Sequence, residues 1–212
     1  WGGRLPGVTW CVVGGVGLEV PLRLKPGLVW DDQGGNAPDL ARRAEAAGIA
    51  MITIHGRTRG QFSKGEADWL AIADVSQAVD IPVIANGDIT NAQTARTAMQ
   101  AAQSAGVMIG RGAQGRPWLL AQVAAVLEGR APATAPPVRE ALHDMVCGHY
   151  EAMLGFYGVD LGLRVARKHL GWYMQAAGTA AAVRRAILTS TSPSQVTGLL
   201  RRAFTTNLEA VA

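Results

Sequence analysis

Short apolar runs alternate with longer amphipathic ones along most of the chain, and each change of period from two to 3.6 marks where one element gives way to the next. The runs EVPLRLK (19–25), IAMITIH (49–55), IPVIANG (81–87) and GVMIGRG (106–112) predict strands. Each precedes a helix-like stretch: NAPDLARRAEAAG (36–48), ADWLAIADVSQAV (67–79), NAQTARTAMQAAQSAG (91–106) and RPWLLAQVAAVLEG (116–129). Asn36, Pro38 and Gly48 supply the start and stop signals of the first of these helices. Strands apolar on both faces and joined through helices make a parallel sheet with right-handed crossovers. The expected fold class is therefore α/β. Four βα units are half of an eight-unit barrel, so residues 20–130 read as a partial TIM (β/α)8 barrel holding its last four units; an open doubly wound sheet is the other candidate.

After that the pattern changes. RAPATAPP (130–137) is rich in proline and alanine, and 131–137 is expected to be a linker. Everything beyond it has helical period: VREALHDMVCGHYEAMLGFYG (138–158), LGLRVARKHLGWYMQAA (161–177), AAAVRRAILTS (180–190) and PSQVTGLLRRAFTTNL (193–208). A small all-α domain over 138–212 follows from this. Residues 1–19 contain no clear helix, supply no earlier βα unit and are left unassigned.

Composition narrows the class of protein. A chain of 212 residues, 49% hydrophobic, suits one large or two small globular domains. Its two cysteines, Cys11 and Cys147, lie far apart and suggest neither a disulfide framework nor a metal cluster, so a reducing, cytoplasmic setting is expected. His143, His149 and His169 show no metal-ligand spacing, and no metal is expected. The apolar run VTWCVVGGVGL (8–18) is broken by glycine and falls well short of the about 20 residues a membrane span needs; neither an anchor nor a signal peptide is read here. The formal charge is +4, with much of the excess in the clusters HGRTRGQFSK, GRGAQGR and RVARKH, a distribution that suits either a polyanion partner or ordinary solvated faces.

Several stretches carry candidate chemistry. GRGAQG (110–115) satisfies the dinucleotide pattern G-x-G-x-x-G, but the strand ending in an acidic residue that should follow is missing, so a Rossmann site is rejected. In a barrel the last two βα loops commonly hold phosphate groups with backbone N–H donors. Asn86-Gly87-Asp88 and Gly110-Arg111-Gly112 are then either two halves of one phosphate cradle for a phosphorylated cofactor or simply tight turns. His55, at the end of its strand, either hydrogen-bonds a cofactor ring or is a core histidine, and Arg57 with Arg59 either meet substrate phosphates or are solvated. Lys25 ends the first strand, where burial of an ammonium calls for an anionic partner such as a reduced flavin. Arg164, Arg167 and Lys168 stand within about one turn of each other beside Trp172 and Tyr173, a combination that suits an RNA backbone with a stackable base or an ordinary amphipathic helix.

Four segments, MITIHGRTRGQFSKGEADW, IPVIANGDI, VMIGRGAQGRPWLL and YGVDLGLRVARKHLGWYM, together resemble the bacterial tRNA-dihydrouridine synthases, close to the subgroup also called nitrogen-regulation-like proteins, over residues 20–190. The resemblance implies an FMN-binding barrel followed by a helical tRNA-binding domain. It also implies a reaction in which NADPH reduces FMN, the flavin passes hydride to one end of the uridine 5,6 double bond and a cysteine thiol protonates the other. Residue by residue, Lys25, His55, Asn86, Gly87, Asp88, Gly110 and Arg111 match cofactor-binding positions, and Arg164, Arg167, Lys168 and His169 match the basic motif of the tRNA-binding domain. The chain departs from the family at Gly27 and Val29, where an arginine and a glycine are usual, and it lacks the Asn-x-Gly-Cys-Pro motif that carries the catalytic cysteine. Cys11 has none of those neighbours and stands too close to Lys25 to replace it. The expectation is a carboxyl-terminal portion that is inactive alone. A noncatalytic RNA-binding protein and another FMN barrel, such as a dihydroorotate or dihydropyrimidine dehydrogenase, are the alternatives.

Overall fold

The computed structural model describes residues 4–5, 8–9, 23–28, 36–61, 64–131 and 135–205. The chain divides into two compact units, Trp1–Gly110 and Arg111–Ala212. In the first unit, β1 (Arg4–Leu5) and β2 (Val8–Thr9) form a short antiparallel pair. The remaining strands, β3 (Arg23–Leu24), β4 (Met51–His55), β5 (Val83–Asn86) and β6 (Gly106–Met108), make one parallel sheet in the order β3-β4-β5-β6. Helices α1 (Ala37–Ala46), α2 (Leu70–Ser76) and α3 (Ala92–Ala101) connect consecutive strands. The α/β class and the parallel sheet are thus as the alternating pattern predicts.

Ile52, Ile54, Val83 and Ala85 of the central strands are buried among Ala37 and Ala41 of α1 and Ile72 and Val75 of α2. Each isoleucine so buried contributes about 1.5–3 kcal/mol, which makes β4 and β5 the fixed centre of the sheet. Polar ties set the spacing of the outer layer: the Glu45 carboxylate accepts from Asp80 N at 2.8 Å and Ile81 N at 2.9 Å, and Ser76 Oγ donates to the Ala102 carbonyl at 2.7 Å. Asn91 caps α3 by accepting from Thr94 N at 2.8 Å, while Thr94 Oγ1 accepts from Asn91 N at 3.1 Å, a reciprocal box that lets the helix begin a few residues after β5 ends.

The second unit is helical. A 3-10 turn (Arg111–Ala113) leads to α4 (Leu119–Leu127), then α5 (Glu140–Tyr157), α6 (Val159–Ala176), α7 (Ala181–Thr189) and α8 (Pro193–Thr205). Its core gathers Val146 and Tyr150 of α5, Ala166, Leu170 and Met174 of α6, Ile187 of α7 and Leu200 of α8. Gly162 lets α6 close on α5, because a Cβ there would lie 2.9 Å from the Met153 carbonyl oxygen. The division at residue 110 falls ahead of the linker expected at 131–137, so that α4 groups with the helical part. Within this unit Gly115 holds φ +71° with its Cα so close to α6 that a Cβ would lie 2.4 Å from the Trp172 carbonyl oxygen. Among the described residues no helix is long and apolar enough to cross a membrane.

Candidate functional site

Parallel register brings the chemistry together. His55 pairs with Asn86 and Asn86 with Met108, so β4, β5 and β6 end in one row, and Gly27, just past β3, bridges to His55. Asn86 Nδ2 donates to the Met108 carbonyl at 2.7 Å, and Gly56 N donates to the Asn86 carbonyl at 2.9 Å. The turns after these strands therefore leave the sheet side by side. Gly110, two residues beyond Met108, is exposed, and a Cβ added to it would meet nothing within 4 Å.

Gly87 is required by both conformation and space. Its φ is +123°, and a Cβ would lie 2.6 Å from Ala67 Cβ and 3.1 Å from His55 Cδ2. Ala67 lies against this turn, and Trp69 Nε1 donates to the Gly87 carbonyl at 3.0 Å. The next residue, Asp88, has φ +53°, which aims its carboxylate back into the first unit. There Arg57 Nη2 donates to Oδ1 at 2.7 Å and to Oδ2 at 2.6 Å, and Ala67 N donates to Oδ2 at 2.7 Å. The guanidinium is 3% exposed; its Nε donates to the Lys64 carbonyl at 3.2 Å and its Nη2 also to the Gly65 carbonyl at 2.8 Å.

Three expectations change on this geometry. Arg57 was expected to meet substrate phosphates or solvent, but it is buried and its Nε and Nη2 donors are spent inside the chain. Asp88 was expected to serve the cofactor; its carboxylate is held by Arg57 and Ala67 and is 32% exposed. Lys25 is exposed at the end of β3, so no desolvation demand arises there. Arg59 is exposed, and His55 is half-buried at the strand end. The Arg57–Asp88 pair was missed in the sequence, although a signal existed: the two residues stand two positions beyond the register partners His55 and Asn86.

In the second unit Arg111 is exposed in its 3-10 turn. Residues 164, 168 and 172 recur at i, i+4 and i+8, one face of α6. Arg164 and Lys168 are exposed there, and Lys168 Nζ lies 5.4 Å from the centre of the half-buried Trp172 ring. Arg167 points elsewhere: it is half-buried, its Nη2 donates to the Ser190 carbonyl at 3.4 Å, and its Nε is buried without a hydrogen-bond partner. His169 packs edge-on against both His149, at 5.1 Å, and Trp172, at 5.2 Å. Burial lowers its pKa, with His149 and Lys168 adding repulsion. Tyr173 Oη is 3.0 Å from His149 Nδ1, and burial raises the phenol's pKa. On α5, His143 lies between Asp144 Oδ1 at 2.9 Å and Cys147 Sγ at 3.3 Å, with Glu140 close by.

A parallel sheet whose glycine-containing polar turns collect at the carboxyl ends of its strands places the chain in the α/β class, whose members generally bind ligands at that edge. The family model described as dihydrouridine synthase (Dus) matches residues 11–209, and the chain belongs to that family. It is 55% identical over 193 residues to a probable tRNA-dihydrouridine synthase of Rhodobacter capsulatus, covering 91% of this chain and 58% of that one. Over 192 residues it is 44% identical to a probable tRNA-dihydrouridine synthase of Rickettsia conorii, again 91% of this chain and 58% of the other. A tRNA-dihydrouridine synthase B of Xanthomonas axonopodis is 40% identical, with 91% and 57% covered. The chain thus spans somewhat over half the length of these relatives.

Proposed function

We propose that this chain is the carboxyl-terminal part of an FMN-dependent tRNA-dihydrouridine synthase, contributing the phosphate side of a flavin site and a helical surface for tRNA. The observation that carries the reading is the row His55–Asn86–Met108, which sets two glycine-containing turns next to each other at the ligand-binding edge of a parallel sheet. The residues fit a phosphorylated cofactor. Gly110 leaves open space where a side chain would otherwise stand. The one carboxylate in the turn is neutralised by Arg57, so no fixed anion opposes a phosphate. Gly87 and Gly110 would present backbone N–H groups, His55 would flank the ring, and Lys25 would add positive charge. When bound, FMN would supply hydride chemistry, with NADPH as its reductant. The four strands would then be half of a barrel in the complete protein.

For RNA, the support is the α6 face: Arg164 and Lys168 are exposed beside Trp172, a charge and stacking combination suited to a nucleic-acid strand. Titration of the purified chain with FMN tests the cofactor half. Gly110→Val, which fills the open space, is expected to weaken binding with unchanged circular dichroism; a wild-type chain that takes up no flavin overturns this half of the reading. Without the Asn-x-Gly-Cys-Pro motif the chain alone is expected to form no dihydrouridine on unmodified tRNA, and its detection by mass spectrometry would contradict that. A noncatalytic RNA-binding role has one observation in its favour, the separate core of the helical unit. Retained tRNA binding in a chain that never binds FMN would favour it.

A further inference from the structure

Arg57 stands against His55 as well as Asp88. Its Nη1 lies 3.4 Å from His55 Nε2. A guanidinium has five N–H donors and no acceptor, so the contact is sound only if Nε2 carries a lone pair. The opposite tautomer would set an N–H against an N–H, and an imidazolium would set cation against cation. The guanidinium cannot easily turn away. Its Nη2 is held by both Asp88 oxygens and the Gly65 carbonyl, its Nε by the Lys64 carbonyl, and the side chain is 3% exposed. The ring is constrained from a second side by Gly87, where even a methyl group would come within 3.1 Å of Cδ2 and 3.4 Å of Nε2.

We propose that Arg57, locked by Asp88, is a positioning residue that fixes the tautomer of His55, with the proton on Nδ1 and the lone pair on Nε2, and so decides the hydrogen-bonding character the ring offers at the strand edge. For what the ring then serves, this rests on the flavin reading above; for the tautomer it does not. The logic is that of an outer partner that orients a ligand-contacting histidine through its far nitrogen. It also gives a reason for an ion pair beneath a phosphate-side turn: the carboxylate holds the arginine, and the arginine holds the ring.

The test uses the full chain labelled with 15N-histidine and long-range 1H–15N correlation at neutral pH. The chain has four histidines, and the His55 signals are assigned by their loss in His55→Gln. A neutral ring protonated at Nδ1 is expected in the wild type. In Asp88→Asn, where an amide N–H replaces one acceptor and loosens the guanidinium, the ring is expected to shift toward a mixture of tautomers. A wild-type ring protonated at Nε2, doubly protonated, or averaged between forms overturns the proposal without any need for a variant to fold. So does a folded Asp88→Asn chain with an unchanged ring. With FMN, Arg57→Gln is expected to weaken binding ~10-fold, the lower end of what such partners typically contribute, and to add nothing in a His55→Gln background. An equal loss in both backgrounds would show that Arg57 acts by another route. A chain that shows the Nδ1 tautomer yet binds no flavin refutes the cofactor reading and leaves the positioning intact.

Discussion

Replacing Asp88 with alanine should loosen the sheet edge while leaving the helical unit as it is. The carboxylate accepts two hydrogen bonds from Arg57 Nη2, at 2.7 and 2.6 Å, and one from Ala67 N at 2.7 Å. Removing one partner of a buried ion pair costs about 3–5 kcal/mol, because the other charge stays behind unsatisfied. Arg57 is 3% exposed, which argues for the full penalty, whereas Asp88 is 32% exposed, which argues for a discount; about 3 kcal/mol follows. If β4 and β5 open together with this turn, 3 kcal/mol corresponds to roughly 100-fold faster amide exchange. Hydrogen exchange read by mass spectrometry on peptides from residues 51–58 and 83–88 measures it, and peptides from α5 and α6 act as the internal control. A thermodynamic cycle sharpens the result. Arg57→Met with Asp88→Ala should cost about 2 kcal/mol less than the sum of the single changes, since the double variant leaves no orphan charge. Exchange unchanged in the strand peptides, or a double variant whose cost is simply additive, would refute the reasoning.

Other consequences are more local. Gly115→Ala should destabilise the helical unit, because it forces a Cβ to 2.4 Å from the Trp172 carbonyl oxygen at φ +71°; urea unfolding should show a lowered midpoint, and the exposed Gly129→Ala, also at positive φ but with open space around it, should lose less. The Cys147 thiol is buried, and its pKa is raised by desolvation first and by Glu151 and Asp144 after it, so maleimide labelling of the folded chain should be slow below pH 9 and accelerate on unfolding. Because the folded state holds that proton more tightly than the unfolded one, Cys147 lowers stability as pH rises above its ordinary value of 9.0. His169 has the opposite sign of dependence. Its folded pKa lies below 6.5, so the unfolded chain binds the proton first and stability falls as pH drops through that range; an NMR titration midpoint at or above 6.5 would contradict this. If the α6 face meets tRNA as proposed, Arg164→Ala and Lys168→Ala should each reduce the salt dependence of binding by about one unit of slope, while Arg167→Ala should act mainly on stability.

The elements were legible because period and punctuation agree. IAMITIH became β4 at Met51–His55, shorter by two residues at its start, and IPVIANG became β5 at Val83–Asn86, shorter by two residues at its start and by Gly87 at the turn. The basic motif RVARKHLGWYM was legible as a cluster but not as a face. Only the helical wheel of α6, fixed by the burial of Leu163, Ala166 and Leu170, separates the exposed Arg164 and Lys168 from the inward Arg167. Proline content marks 131–137 as a linker, and composition gives no hint that Gly115 lies close against α6. Local propensity reports how a segment is built, whereas that close approach depends on a helix more than fifty residues away.

The same distinction explains Arg57 and Asp88. Read along the chain, an arginine in HGRTRGQ looks like surface charge, and an aspartate in ANGDIT looks like a polar turn residue. Once β4 and β5 are placed in parallel register, His55 stands beside Asn86, and the residues two positions further on face each other across the strand ends. If the turn takes a phosphate as proposed, an unpaired carboxylate in it would repel that ligand, and an arginine buried alone would pay several kcal/mol in desolvation. Pairing removes both penalties at once. Asp88 can adopt φ +53° and turn inward because Arg57 is there to receive it, and the outer side of the turn is left to Gly87 and the backbone. An acidic residue beside a glycine in a turn at the end of a parallel strand is therefore a reason to search the neighbouring strand, two residues past its register partner, for the buried cation that neutralises it.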